Sequence, residues 1–228
     1  MKKRNVMFGT LFLVMMGMMG FTSCDSGFNG EEDVAPVSAA DEAVTTDTST
    51  ATCISGLPME ELSDSEVIGI TYMREEEKLA RDVYVYLYDK WGIRTFDNIS
   101  KAEQAHMNAV LLLIDRYELT DPVGDNDYGV FTNDDLQELY DQLTADGSVS
   151  EIEALKVGAL IEEVDINDLD EELESYIDNQ DITKVYNNLR AGSEAHLRAF
   201  VWNLKVRGVE YSPVILTQEE YEEIINKD

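Results

Sequence analysis

Arg74-Glu75-Glu76-Glu77-Lys78-Leu79-Ala80-Arg81-Asp82-Val83-Tyr84 places a run of charge inside an apolar repeat. Around it, Ile70, Met73, Ala80, Tyr84 and Leu87 recur at spacings of three and four, the period of one helical face. The pattern predicts a helix from about Ser63 to Trp91, stopped by Gly92. Glu77 continues the apolar series, so an acid is directed at the core. Charge runs usually mark a solvated face, so two of Glu75, Glu76 and Glu77 are expected to meet water, with Glu76 the alternative to Glu77 as the inward one.

Three more long segments carry the same period. Lys101 to Glu118 sets Ala102, Ala105, Ala109, Leu112 and Leu113 on one side, with Ser100 as N-cap and Glu103 completing a capping-box pattern. Glu151 to Tyr176 carries Leu155, Ala159, Ile166, Leu169 and Leu173, and Ile182 to Val206 carries Val185, Leu189, Ala199, Phe200 and Leu204. A shorter helix, Asp134 to Thr144, is expected in the long second connection, and a last one follows Pro213, where Thr217 and Glu220 form another capping box. No segment alternates as a strand would. The expectation is an all-α protein, residues 57–228, built as a four-helix bundle with two short hairpin connections and a long crossover connection between helices two and three.

The remainder of the chain reads differently. Lys2-Lys3-Arg4 precedes an uncharged apolar run from Val6 to Phe21, shorter than the roughly 20 residues of a spanning helix. It ends in Phe21-Thr22-Ser23-Cys24, which resembles the lipobox of bacterial lipoproteins, with Phe21 in place of the usual leucine. Residues 1–23 are thus expected to be a signal peptide, and Cys24 a lipidated N-terminus in the cell envelope, inner or outer membrane undecided. Residues 24–56 are rich in Ser, Thr, Ala, Asp and Glu and read as a disordered acidic tether. With Cys24 lipidated, Cys53 is the one thiol left, so no intramolecular disulfide is expected. The formal net charge is -30, which repels nucleic acid and favours cationic partners. The Asp121–Asp127 loop lacks the spacing of a calcium-binding loop and reads as a solvated turn.

Charged residues interrupt the other apolar faces too. Glu103 and His106 lie one turn apart on helix two, Glu162 continues Leu155 and Ala159 on helix three with Asp165 a turn beyond, and His196 is in register with Leu189, Ser193 and Phe200 on helix four. Glu163 is the alternative to Glu162. Buried carboxylates are costly without a counter-charge, and no Lys or Arg stands in these series to answer them. Both histidines of the chain fall on the pattern. Oxygen and imidazole ligands together suit iron or manganese, with zinc a further option.

These residues resemble those of ferritin-like proteins. Glu77 followed by Ala80 and Tyr84, then Glu103-Gln104-Ala105-His106, Glu162 and His196, follow that superfamily's ligand order, and the wider stretches Arg74–Tyr84 and His196-Leu197-Arg198-Ala199-Phe200 look like a ferritin-like family of uncharacterised function. The likeness covers nearly all of residues 65–226. It implies a ferritin-like bundle holding two irons through Glu77, Glu103, His106, Glu162 and His196, acting on iron, dioxygen or peroxide as an oxidoreductase, and a homodimer, since such bundles often pair. The superfamily's second Glu-x-x-His is incomplete, because Ser193 stands where its glutamate would be. Glu194 lies on the far side of the helix, and Asp165 is the nearest substitute. The rival expectation is a metal-free acidic helical module that docks a basic partner.

Overall fold

Ser63 and Glu66 close a reciprocal capping box, in which the Ser63 hydroxyl accepts from the Glu66 N–H and the Glu66 carboxylate accepts from the Ser63 N–H at 2.8 Å. Helix α1 (Asp64–Trp91) starts there and ends at Gly92, whose φ of 69° closes the helix in a left-handed turn that other residues rarely adopt. The computed structural model describes residues 54–227. The expected leader 1–23, Cys24 with its expected lipidation, Cys53 and nearly all of the expected tether lie outside the described residues. Within them the chain is all-helical and carries no strand. Ile54 is already buried within the core cluster that includes Ile70, Val110 and Leu113, so packed chain begins slightly before Leu57.

Helix α2 spans Arg94–Arg116, starting seven residues before the expected Lys101. Phe96, Ile99, Ala102, His106, Val110 and Leu113 form one buried stripe, and its first members hold the extra turns against the core. The Ser100 cap is therefore overturned: its hydroxyl donates to the Asp97 carbonyl inside the helix, and Glu103 is released from any capping role. Of the expected α2 face, Ala102 and Leu113 are buried, whereas Ala105, Ala109 and Leu112 are only half-buried. Helices α3 (Asp134–Gly147), α4 (Glu151–Ser175), α5 (Gln180–Val206) and α6 (Gln218–Ile225) follow, with Asn133, Ser150 and Thr217 as side-chain caps of α3, α4 and α6.

Two-residue and four-residue connections make α1–α2 and α4–α5 antiparallel pairs. The pairs are joined by contacts of α2 with α5 and of α1 with α4, while α3 lies against both α1 and α4. Tyr84, Phe96 and Phe200 pack as a tilted aromatic trio, with centroids 5.3 to 5.9 Å apart. A Cβ on Gly158 would fall 2.5 Å from Phe200, so α4 and α5 approach closely at that level.

The segment joining α2 to α4 is fastened along the outer face of α1. Arg74 donates to both oxygens of Asp121 and to the Met107 carbonyl. Glu75 accepts the N–H groups of Thr132 and Asn133. Lys78 bridges the Asp82 carboxylate and the Asp127 carbonyl, and Asp82 accepts from the Gly129 N–H. The Asp121 carboxylate and the Asp127 carbonyl are thus committed to α1.

Candidate metal centre

Consecutive residues on a helix point about 100° apart, so the three glutamates of α1 face three directions. Glu75 takes the connecting segment, Glu76 faces acids of α4, and Glu77 turns to the interior. All three are buried, at 3%, 7% and 2% exposure. This overturns the expectation that two of them are solvated: the connecting segment and α4 cover the directions that water would otherwise occupy.

Glu77 meets Glu103 and His106 from α2, which share a face because they are one turn apart. Across the interior, α4 supplies Glu162 and α5 supplies His196. Glu103 lies between the two histidines, its Oε2 2.8 Å from His106 Nδ1 and its Oε1 2.8 Å from His196 Nδ1. His106 Nδ1 also reaches Glu77 Oε2 at 3.2 Å, and His196 Nδ1 reaches Glu162 Oε2 at 3.4 Å. The imidazole rings stack with centroids 5.4 Å apart. Ligand atoms of Glu77, Glu103 and His106 lie within 4.8 Å of one another, as do those of Glu103, Glu162 and His196. Two groups able to hold a metal ion therefore share one carboxylate.

The residues behind this cluster set its orientation. A Cβ on Gly192 would sit 2.5 Å from His106 Nε2, so a glycine on α5 lets the ring lie flat with Nδ1 toward the acids. The Tyr84 hydroxyl donates to Glu162 Oε1 at 2.5 Å, leaving Oε2 on the His196 side. Ser193 donates to Asp165 Oδ2 and to the Leu189 carbonyl, which fixes Asp165 beside the centre. Neither Tyr84's hydrogen bond nor Gly192 was anticipated; the glycine one turn before His196 was the available signal.

The electrostatics are those of acids held by two imidazoles. Burial pushes the Glu77 carboxyl up to about 7 even though His106 opposes it. Burial acts on Glu103 in the same sense, but His196 and His106 together outweigh it and hold Glu103 well below the carboxylate range. Burial depresses His196, yet Glu103 and Glu162 raise it to about 10, and His106 is raised well above its ordinary value by Glu77 and Glu103 against burial. Burial also raises Glu162 and Asp165. Asp165 Oδ1, Glu77 Oε1 and His196 Nε2 are buried with no hydrogen-bond partner. Carboxylate oxygens and imidazole nitrogens in each of these groups are a donor set that could hold a metal ion.

The alternative acids go elsewhere. Glu163 is fully buried but accepts from the Tyr211 hydroxyl and from the N–H groups of Val214, Ile215 and Leu216. It fastens the segment leading into α6, and Glu162 is the residue at the centre. Glu76 belongs to neither group. Glu194 is buried on the opposite side of α5, paired with Arg190 and Lys227.

Residues 66–228 match the family described as "Uncharacterized protein domain (DUF2202)". The uncharacterized protein MJ0754 of Methanocaldococcus jannaschii is 50% identical over 173 residues, which span 76% of this chain and 93% of that protein. A crystal structure of the hypothetical protein MJ0754 is similar at a TM-score of 0.74 and 48% identity, covering 76% of this chain and 98% of the other.

Proposed function

The chain belongs to the DUF2202 family, and from the cluster its helices assemble we propose that it is a ferritin-like protein with a carboxylate-bridged dinuclear metal centre. In this reading the four long helices are the bundle, and the segment between α2 and α4 is its crossover. The observation that carries the proposal is Glu103, shared by two buried Glu–His groups. A carboxylate with one oxygen toward each imidazole would serve ions held in both groups.

Glu77 and His106 would complete one side, Glu162 and His196 the other. Asp165, held by Ser193, offers the fourth negative charge that two divalent ions call for and stands in for the glutamate missing three residues before His196. Tyr84 keeps Glu162 in one orientation through its hydroxyl. The acids beside them raise the proton affinity of both imidazoles, so a metal would compete with protons for these rings and its binding would release protons. Iron is the metal we favour, with manganese or zinc suited to the same donors; iron would supply the electrons to reduce dioxygen or peroxide. From the apolar run that ends in Phe21-Thr22-Ser23-Cys24 we further propose that the chain is an envelope lipoprotein anchored through Cys24.

The test is to load the full chain with ferrous iron anaerobically and then admit air. Oxygen uptake in proportion to iron, with a visible absorption band that disappears in Glu103→Gln, is the expected result. Protein that consumes no oxygen and gains no band would leave a metal-free acidic module, whose partner is a basic protein, as the better account.

A further inference from the structure

Both tryptophans of the chain, Trp91 and Trp202, lie at one end of the helices, where α1 and α5 finish and α2 and α4 begin. Polar contacts hold that end together. Trp91 Nε1 donates to the Gly147 carbonyl at 2.8 Å, and the Tyr86 hydroxyl lies 3.1 Å from Ser148 Oγ. These tie the end of α1 to the turn between α3 and α4. Asn203 donates to Thr95 Oγ1 at 2.8 Å, and Arg207 Nε lies 3.9 Å from Glu151 Oε2, which ties the end of α5 to the starts of α2 and α4.

Apolar side chains meet water here. Val149, in the turn before α4, is 73% exposed and Val206, at the end of α5, 53%. Both tryptophans are half-buried, and Trp202 stands one turn before Val206 on the same face of α5. Single exposed apolar residues are ordinary, whereas several at one end mark a surface that meets something else. Cations accompany them. Lys90, Arg94 and Lys205 are exposed, and the Lys90 amine lies 5.5 Å from the Trp91 ring. With Arg207 they come close to balancing Asp89, Asp97, Asp146, Glu151 and Glu210, in a chain whose net charge is -30. The opposite end is unlike it: Asp64, Asp115, Glu118, Glu171, Glu174 and Asp178 are exposed there, set against Arg116 and Lys184.

We propose that this end of the helices docks on a phospholipid surface, with Trp91, Val149, Trp202 and Val206 entering the headgroup layer and Lys90, Arg94 and Lys205 meeting its phosphates. Indole rings and aliphatic groups favour the boundary between headgroups and acyl chains, and Lys and Arg beside them add attraction to anionic lipid. The Trp91 N–H is already bonded to Gly147, so its ring enters a less polar layer without an orphaned donor. Charge favours lipid over a second copy of the chain. Lipid phosphates answer the exposed cations, whereas a second copy would set its own cations against them. The acidic end lies about 35 Å away, the length of α2, and salt at physiological strength screens charge beyond about 8 Å. This surface rests on neither the metal centre nor the lipidation of Cys24.

The two tryptophans are the probes. The full chain is mixed with vesicles of phosphatidylcholine and phosphatidylglycerol whose acyl chains carry bromine, a contact quencher of indole fluorescence. Emission should shift to the blue and fall about two-fold relative to unbrominated vesicles, and Val149→Asp/Val206→Asp should abolish both changes. Residues 1–53 hold no tryptophan and are the same in every variant, so an anchor in that stretch does not by itself quench the emission. Should the valine variant fail to fold, Lys90→Gln/Lys205→Gln replaces it and should weaken the quenching. Emission indifferent to bromine in the wild type overturns the proposal, as does quenching that the variant retains in full. A blue shift that grows with protein concentration and ignores the vesicles assigns the face to a second copy of the chain and overturns the lipid.

Discussion

On the outer stripe of α1, Arg74, Glu75, Lys78 and Asp82 find their partners in the segment joining α2 to α4, whereas Glu77 on the inner stripe and the glutamates it faces have two imidazoles and the Tyr84 hydroxyl to share. Both regions bury charge. In the outer one each charge is answered by an opposite charge or a backbone dipole, so folding alone satisfies it. In the inner one three glutamates share two histidines, and their proton affinities are displaced in opposite directions. On the proposed function the outer stripe serves stability and the inner stripe metal binding, and perturbing one should spare the other.

The largest effect is expected from Glu103→Gln. Because Glu103 belongs to both metal-holding groups, its loss should weaken metal binding by more than the roughly 100-fold that removal of an outer-shell partner costs. Titration calorimetry with Co2+ checks it, and urea unfolding of the metal-free variant should show the outer stripe intact. The converse is Lys78→Met. Lys78 and Asp82 are fully buried and 2.5 Å apart, so the variant should lose about 3 kcal/mol of stability by urea unfolding, the low end for a broken buried pair. Arg81 and the Gly129 N–H still hold Asp82. The protein that remains folded should bind metal as the wild type does.

A smaller effect is expected from Gly192→Ala, which drives a methyl group into His106 and should lower affinity at one of the two ions by about 10- to 100-fold. Metal stoichiometry at limiting concentration would then fall from two toward one. Least conspicuous is a pH effect confined to the metal-free protein. Glu77 is raised from 4.5 to about 7 and His196 from 6.5 to about 10. In both cases the folded state holds its proton more tightly than the unfolded chain, so the contribution is full below the unfolded value and is lost as pH rises through the folded one. Thermal stability should fall from pH 4.5 to 7 through Glu77 and from 6.5 to 10 through His196. Glu103 is displaced downward and runs the other way, but its loss is confined to strongly acid solution. Glu162→Gln should leave the Glu77 part of that decline in place.

The helices were legible because apolar spacing and caps are local: Ser63, Gly92 and Thr217 mark their ends as written in the sequence. The start of α2 was not, because Phe96 and Ile99 earn their helical turns only by packing on other elements. The interior residues of the cluster were legible for the same reason as the core, since Glu77, Glu103, His106, Glu162 and His196 all continue apolar series. What spacing could not give is which neighbour covers each remaining direction. Glu75, Glu76 and Glu163 are as buried as the cluster itself, yet they answer to the connecting segment, to α4 and to the run into α6. Those partners lie far away in sequence, and a run of glutamates looks alike whether water or protein surrounds it.

The most direct test is the metal content of the full chain after exposure to excess divalent iron under argon and removal of the unbound ion, compared with His106→Ala/His196→Ala. Two tightly held ions per chain, absent from the histidine variant while its helix content is unchanged, is the result this account predicts. An iron content near zero in the wild type, or one that the double variant retains in full, would contradict it.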